Sequence, residues 1–327
     1  MPFFDLSPEQ LVKYDPAEQA PADFDAFWSA TLAASNKHAI NARFTPIKDA
    51  IYDLVDVFDV TFAGYAGQPV KGWFMTPKHA TKPLPTLVTY IGYGGGRSLP
   101  VDHLVPAMSG FAHFVMDTRG QGSTWSPGDT ADDPGDAGNQ TGPQFPGVMT
   151  RGIESPQSYY YRRVFTDAAR AIQAAITHPS VDKSRVGVTG VSQGGGITLA
   201  AAALAGDAVK IAMADVPFLC HYSRATTIID TAPYNEIAKY LATHRHKVEQ
   251  TFKTLAYFDG MHFAPRIKAR CLVSVGLMDT ICPPSTIYAA YNRIKAPKEI
   301  RSYTFNNHEG GGAYQVVERM KFAKAHL

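Results

Sequence analysis

The chain has 327 residues, of which 45% are apolar and 18% charged, the proportions of a folded globular protein rather than a disordered or low-complexity one. Lys and Arg number 31 and Asp and Glu 29, a net charge of +2 with no basic block behind it, which argues against nucleic-acid or anionic-membrane partners. No apolar run approaches the ~18 residues of a membrane span. The opening Met1-Pro2-Phe3-Phe4-Asp5-Leu6 lacks the basic start and apolar core of a signal peptide, so the expectation is a cytoplasmic protein. Cys220, Cys271 and Cys282 are odd in number and spaced neither as metal ligands nor as a redox pair, and read as buried thiols.

In chain order, residues 7 to 37 look helical in pieces. Ser7-Pro8-Glu9-Gln10 has the form of an N-cap with Pro in the first turn, and Phe24, Phe27 and Trp28 fall at helical spacing, as in a docking arm. From Tyr52 to Met75 the residues alternate, and Gly64-Tyr65-Ala66-Gly67 interrupts them, which predicts an antiparallel hairpin. Thr86 to Ile91 and Phe111 to Met116 are short apolar runs of the kind buried in a parallel sheet. Between them lies Gly92-Tyr93-Gly94-Gly95-Gly96-Arg97, a glycine loop without the Lys-Ser/Thr ending of a phosphate-binding loop. A segment rich in Gly, Pro and Asp then runs over 122–156, too long for a plain connection and so an interface or functional loop. Tyr159 to Thr177 carries an apolar helical stripe.

The next stretch organises the chain. The run Arg185-Val186-Gly187-Val188-Thr189-Gly190-Val191 leads into Ser192-Gln193-Gly194, and a helix-forming run follows from Ile197 to Leu204. Strand, tight turn and helix around Gly-x-Ser-x-Gly form a nucleophile elbow, in which only Gly fits at 190 and 194. Lys210 to Asp215 reads as a further strand, and 217–268 as a helical cap with Ile237, Leu241, Val248, Phe252 and Leu255 on one face. His244 and His246 in this region read as part of a solvated helix face rather than as metal ligands. Strands over 269–276 and 301–305 are followed by loops that carry Asp279 and His308.

The order Ser192, Asp279, His308 is that of the α/β-hydrolase topology. A serine hydroxyl needs a base to take its proton, and a carboxylate holds the imidazole in the right tautomer. Asp259 and Glu309 are rival acids, but neither directly follows a strand of the predicted sheet. The expected architecture is therefore an α/β-hydrolase fold, a mostly parallel central sheet flanked by helices. One domain would span 1–327, with a helical arm over 1–40, an interface loop over 122–156 and a cap over 217–268.

Several motifs together carry a family resemblance over nearly the whole chain. They are Pro2-Phe3-Phe4-Asp5-Leu6, Tyr90-Ile91-Gly92-Tyr93-Gly94-Gly95, Asp117-Thr118-Arg119-Gly120-Gln121-Gly122, Tyr159 to Ala168, the serine elbow, and Gly276-Leu277-Met278-Asp279 with Cys282-Pro283-Pro284. In these the chain resembles the acetyl xylan esterase/cephalosporin C deacetylase family, carbohydrate esterase family 7. The resemblance implies a serine esterase that needs no cofactor or metal and deacetylates short xylo-oligosaccharides, other small acetyl esters and cephalosporin C. It also implies the triad Ser192, Asp279 and His308, an oxyanion hole from the backbone N–H groups of Tyr93 and Gln193, and an acyl pocket lined by Tyr93, Pro233 and Ile281. Assembly as a hexamer with inward-facing sites is implied as well. Val191 departs from the family, which usually has Gly there. A general short-chain esterase or peptidase of the same fold, and a hydrolase fold used only for binding, are the other two readings.

Overall fold

The structure, a computed structural model, describes residues 4–48, 51–133 and 143–327. Pro2 and Phe3 of the opening motif, and 134–142 of the expected interface loop, lie outside the described residues. The N-terminal pieces form as their signals predict. α1 (Pro8–Leu11) is closed by a capping box in which Ser7 and Gln10 satisfy each other's backbone N–H groups. α2 (Phe24–Asn36) buries Phe24 and Trp28 among Phe165, Phe258 and Phe263, and the Trp28 indole donates to the Tyr257 carbonyl at 2.9 Å.

Nine strands make one sheet, in the order β1-β2-β3-β5-β4-β6-β7-β8-β9. The first three, β1 (Arg43–Ile47), β2 (Val55–Ala63) and β3 (Pro69–Pro77), are antiparallel, and β3 pairs antiparallel with β5 (Ala112–Met116). All later pairings are parallel: β4 (Leu84–Tyr90) with β5 and with β6 (Val181–Val191), then β7 (Ile211–Asp215), β8 (Arg270–Gly276) and β9 (Lys298–Tyr303) in turn. The chain therefore reverses its direction of sheet growth between β4 and β6. A ligand crevice forms at such a switch point, beyond the carboxyl ends of the strands. The loops that carry Tyr93, Ser192, Asp279 and His308 all leave those ends.

Three details depart from the sequence reading. β1 was not expected, because Pro46 cannot donate to a ladder; it is tolerated because β1 is the sheet's edge. The last strand starts at Lys298 and stops at Tyr303, so Thr304 and Phe305 already belong to the turn that leads to His308. After α6 (Tyr222–Ile228), the cap's single helical face is two helices, α7 (Tyr234–Thr243) and α8 (Val248–Leu255), split by a turn at 245–247 that carries His246, while Val248 is exposed. His244 ends α7 with its ring 4.5 Å from that of Tyr240.

Past the short α3 (Leu104–Met108), the helix α4 (Tyr160–Ala175) lies against α5 (Gln193–Ala205) and buries Val164, Ala168, Ala171 and Ile172 of the predicted stripe, whose Ile176 is the half-buried C-cap. Of its charged residues Arg163, Asp167 and Arg170 are buried too, each against a partner, while Arg162 is half-buried. Arg119 grips Asp167 with two bonds of 2.5 and 2.9 Å, and Arg170 reaches the carbonyls of Ser35 and His38. The described parts of 122–156 are ordered against their own chain: Asp132 is bound by Arg163 through two 2.7 Å bonds and by Arg151 at 3.1 Å. No helix among the described residues is long and apolar enough to cross a membrane.

Burial alone would raise the pKa of Asp132, but bonds and charge from Arg163, with Arg119 and Arg151 adding, hold it below its ordinary value. A lowered carboxylate stabilises the fold above the unfolded-state pKa of ~3.9, and that contribution is lost as pH falls through the folded value. Asp132→Asn is expected to lower the unfolding free energy by about 3 kcal/mol at neutral pH, with a gap to wild type that narrows in acid. Urea unfolding at pH 7 and below pH ~4 measures both, and an unchanged midpoint at pH 7 would contradict the role given to this carboxylate.

Candidate active site

Between β6 and α5, Ser192 has φ 59° and ψ −120°, a backbone conformation that side chains other than Gly rarely adopt. The close approach around it explains the glycines. A β-carbon on Gly194 would stand 2.2 Å from the Tyr90 carbonyl oxygen, and one on Gly190 would stand 2.3 Å from the Gly194 carbonyl. Main-chain bonds fix the serine from three sides. Its N–H donates to the Asp215 carbonyl at 2.9 Å, and its own carbonyl accepts from Phe218 at 2.9 Å and Gly196 at 3.0 Å. Val191 is 39% exposed, so its side chain lies outside this tight contact.

Beyond β8, Asp279 is fully buried. Its Oδ1 accepts from the N–H groups of Ile281 and Cys282, each at 2.8 Å, and its Oδ2 lies 2.9 Å from His308 Nδ1. On the other side of the ring His308 Nε2 is 2.9 Å from Ser192 Oγ. With Nδ1–H directed to the carboxylate, Nε2 is the nitrogen free to accept the hydroxyl proton. The two loops are tied together by Met278 N–H to the Asn306 carbonyl and Thr280 N–H to Asn307 Oδ1, both at 3.0 Å.

The rival acids serve elsewhere. Glu309 turns back on its own loop, taking Asn306 Nδ2 at 2.8 Å and Asn307 N–H at 3.1 Å. Asp259 caps α9 (Gly260–Phe263) and is saturated by the N–H groups of His221, Tyr222 and Met261. Among the described residues one group of metal-ligand type stands together, Asp279, Cys282 and His308, with ligating atoms within 4.8 Å of one another. The histidine and carboxylate already bond each other. Burial, then the charges of Asp279 and Cys220, push the Cys282 thiol well above its usual range, so it is a protonated neighbour of the triad rather than a ready ligand.

The two expected oxyanion donors follow neighbouring strands of the sheet, β6 and β4. Gln193 opens α5, where an N–H has no intrahelical acceptor, and Tyr93 lies on the loop after β4. Among the described residues neither N–H has an acceptor in the protein. Their supports were not read from the sequence. Gln121 accepts from Gly94 N–H at 2.6 Å and donates to Gln193 Oε1 at 2.8 Å, which also accepts from Tyr161. Trp125 donates its indole N–H to the Tyr93 carbonyl at 2.8 Å. The Tyr93 ring stands edge-on to Phe218, centroids 6.2 Å apart, and Phe218 lies 4.2 Å from the Tyr234 ring. Pro233 is buried just ahead of α7, and Ile281 is half-buried on the Asp279 loop; Thr231 joins their segments through a 2.8 Å bond to the Thr280 carbonyl.

A mostly parallel sheet with helices on its faces, a serine elbow after β6, and an acid and a histidine after β8 and β9 define an α/β-hydrolase fold. The sequence profile of the acetyl xylan esterase family matches residues 1–326. An acetyl xylan esterase from Paenibacillus sp. R4 is 40% identical and superposes with a TM-score of 0.90, over 98% of this chain and 100% of that one. Acetyl xylan esterase 1 from Thermoanaerobacterium sp. JW/SL YS485 is 31% identical with a TM-score of 0.87, over 98% and 99%. The acetyl esterase Axe7A of Xylanibacter ruminicola is 28% identical over an alignment of 320 positions that covers 93% of this chain and 66% of that protein. The chain thus spans just under two thirds of the length of that relative. It belongs to the acetyl xylan esterase family.

Gly194→Ala tests the tightness of the elbow. The added methyl meets the Tyr90 carbonyl, so either that strand end or the start of α5 must shift. Turnover is expected to drop by about 10²-fold, as for a misplacement on the order of 1 Å, together with the thermal midpoint. Full activity in the folded variant would show that the turn has slack.

Proposed function

We propose that the protein is a serine carboxylesterase that removes acetyl groups from small acetylated sugars. The observation that carries this reading is the pair of 2.9 Å contacts joining Ser192 Oγ, His308 and the buried Asp279. Ser192 Oγ attacks the acetyl carbonyl while His308 Nε2 takes its proton. The carbonyl oxygen becomes an oxyanion facing the N–H groups of Tyr93 and Gln193. The ester bond breaks, His308 returns the proton to the departing sugar hydroxyl, and an acetyl group remains on Ser192. Water then attacks with His308 again as base, and acetate leaves. Asp279 holds the imidazole and stabilises its cation without being protonated itself.

Acetylated xylo-oligosaccharides and cephalosporin C are the substrates that the family resemblance favours, and the similarity to proteins named acetyl xylan esterases supports the first of these. Tyr93, Pro233 and Ile281 line the acyl side in this reading, and the chemistry uses no metal or cofactor. The enzyme works in the cytoplasm as a hexamer whose sites face inward, which would admit small esters and exclude polymers.

Ser192→Ala is expected to leave the fold intact and to reduce acetate release from acetylated xylose by several orders of magnitude. Activity near wild type would remove the serine mechanism. Asp279→Asn should lower turnover by about 10⁴-fold, because the wrong tautomer is then held, whereas Glu309→Gln should stay within about tenfold of wild type. The opposite ranking would make Glu309 the third member. Light scattering together with a comparison of acetylated oligosaccharide and polymeric xylan tests the assembly: a monomer, or equal rates on both substrates, would overturn it.

A further inference from the structure

Glu236 is a charged residue in the interior of the fold, 6% exposed, on the first turn of α7. Its carboxylate has two partners from separate parts of the chain. Oε1 accepts from the Tyr93 hydroxyl at 2.6 Å, and Oε2 accepts from the Met149 N–H at 3.1 Å. The same hydroxyl accepts from the Val148 N–H at 2.9 Å. The chain at 147 presses onto the carboxylate so closely that a β-carbon on Gly147 would lie 2.2 Å from Oε2. Burial raises the pKa of Glu236, while its bonds to Tyr93 and Met149 and the nearby Lys239 act to lower it. Burial raises that of the Tyr93 phenol too, with the Glu236 charge adding, so the phenol keeps its proton and donates it.

This arrangement bears on the reacting centre through one peptide plane. The N–H of Tyr93 points wherever the peptide between Gly92 and Tyr93 points, and Gly92, having no side chain, restrains that plane less than any other residue would. One restraint is the 3.2 Å bond from the Gly95 N–H to the Gly92 carbonyl of that same plane, and the rest comes from Tyr93. Its carbonyl is held by Trp125 and its phenol by Glu236 and Val148, so the residue is pinned at both ends. We propose that Glu236 is a positioning residue: from the cap it fixes the Tyr93 side chain and thereby aims the Tyr93 N–H at the oxyanion. The inference rests on the esterase reading above and adds to it a group that touches no substrate atom.

A donor held out of line loses most of what a fixed one contributes in the transition state, and loses little in substrate binding. Glu236→Ala is therefore expected to lower kcat by about 10- to 100-fold with KM within about threefold, and Tyr93→Phe, which keeps the N–H but removes the hydroxyl, to act in the same direction. Because both changes cut the same link, the double variant should fall no more than about threefold below the worse single one. Effects that multiply, or a kcat within about twofold of wild type in folded Glu236→Ala, would overturn the proposal. Should Glu236→Ala fail to fold, Glu236→Gln carries the test. It keeps the shape but cannot accept from both partners, so a kcat loss of about 3- to 10-fold, absorbed in the Tyr93→Phe background, is expected, and wild-type kcat would refute it. Ser192→Ala in the same assay separates the two levels. If it stays active, the esterase reading falls; if it is dead while the Glu236 and Tyr93 effects multiply, only the assignment of Glu236 falls.

Discussion

The site depends on a contact with no room for one more carbon atom. Gly194 meets the Tyr90 carbonyl and Gly190 meets Gly194 at distances that a β-carbon would violate, so β4, β6 and α5 converge on a point and the serine between them is forced out toward the crevice. A residue at positive φ costs on the order of 1–3 kcal/mol and persists only where its surroundings over-determine it. Here the surroundings are the bonds from Ser192 to Asp215, Phe218 and Gly196. The cost spreads along the chain beneath the turn, where Val216, Leu219 and His221 also have positive φ, an outlying conformation for a β-branched residue such as Val216.

Behind that contact, polar side chains rather than apolar ones set the alignment. Asp215 at the end of β7 is bound by Gln315 at 2.7 Å and lies 3.0 Å from Arg319 Nε, so α11 (Gly312–His326), the C-terminal helix after α10 (Pro284–Arg293), anchors the strand whose carbonyl holds the serine. Burial raises the pKa of Asp215, with Arg319 and Gln315 opposing. On the other side Arg119 and Asp167 form a pair whose side chains are 0% and 1% exposed. An apolar pair of equal volume could serve stability as well, but removing one member strands a buried charge at about 3–5 kcal/mol. What the pair and its neighbours supply is direction. Arg119 places Gln121 two residues on, and Gln121 ties the Tyr93 loop to Gln193.

What was legible in the sequence follows from the physics of each part. The central strands are buried on both faces, so they announce themselves as unbroken apolar runs between loops, and the catalytic candidates could then be placed on loops by order alone. The capping box at Ser7 and the glycines of the elbow were legible because local geometry demands particular residue types. β1 was hidden by Pro46 and by an exposed edge that imposes no alternation. The break between α7 and α8 fell where Arg245, His246 and Lys247 continue a helix-like charge pattern through a turn. Gln121, Asp132 and Glu236 were invisible for a different reason. Nothing local marks a polar residue as buried, and their partners lie from 19 to 143 residues away.

The insertions differ from the sheet in what they contribute. Sequence composition predicts that 122–156 cannot build a core and so must lean on something else, and a neighbouring subunit was the expected support. Its described parts lean on this chain. Thr130 and Asp129 close on Asp117, Asp132 on Arg163, and Glu154 on Lys247 and Gln250. Lys239 of α7 lies 5.3 Å over the Phe145 ring, next to where Glu236 holds Met149. The second half of the insertion and the cap are therefore clasped to each other as well as to the sheet, and the Tyr93 hydroxyl sits at their junction. The serine, carboxylate and histidine are fixed by hydrogen bonds just beyond the strand ends. Tyr93 stands three residues beyond the end of β4, and its side chain is held by groups from both insertions. A contact that moves them reaches the Tyr93 loop through its phenol, held by Glu236 and Val148, and through its carbonyl, held by Trp125.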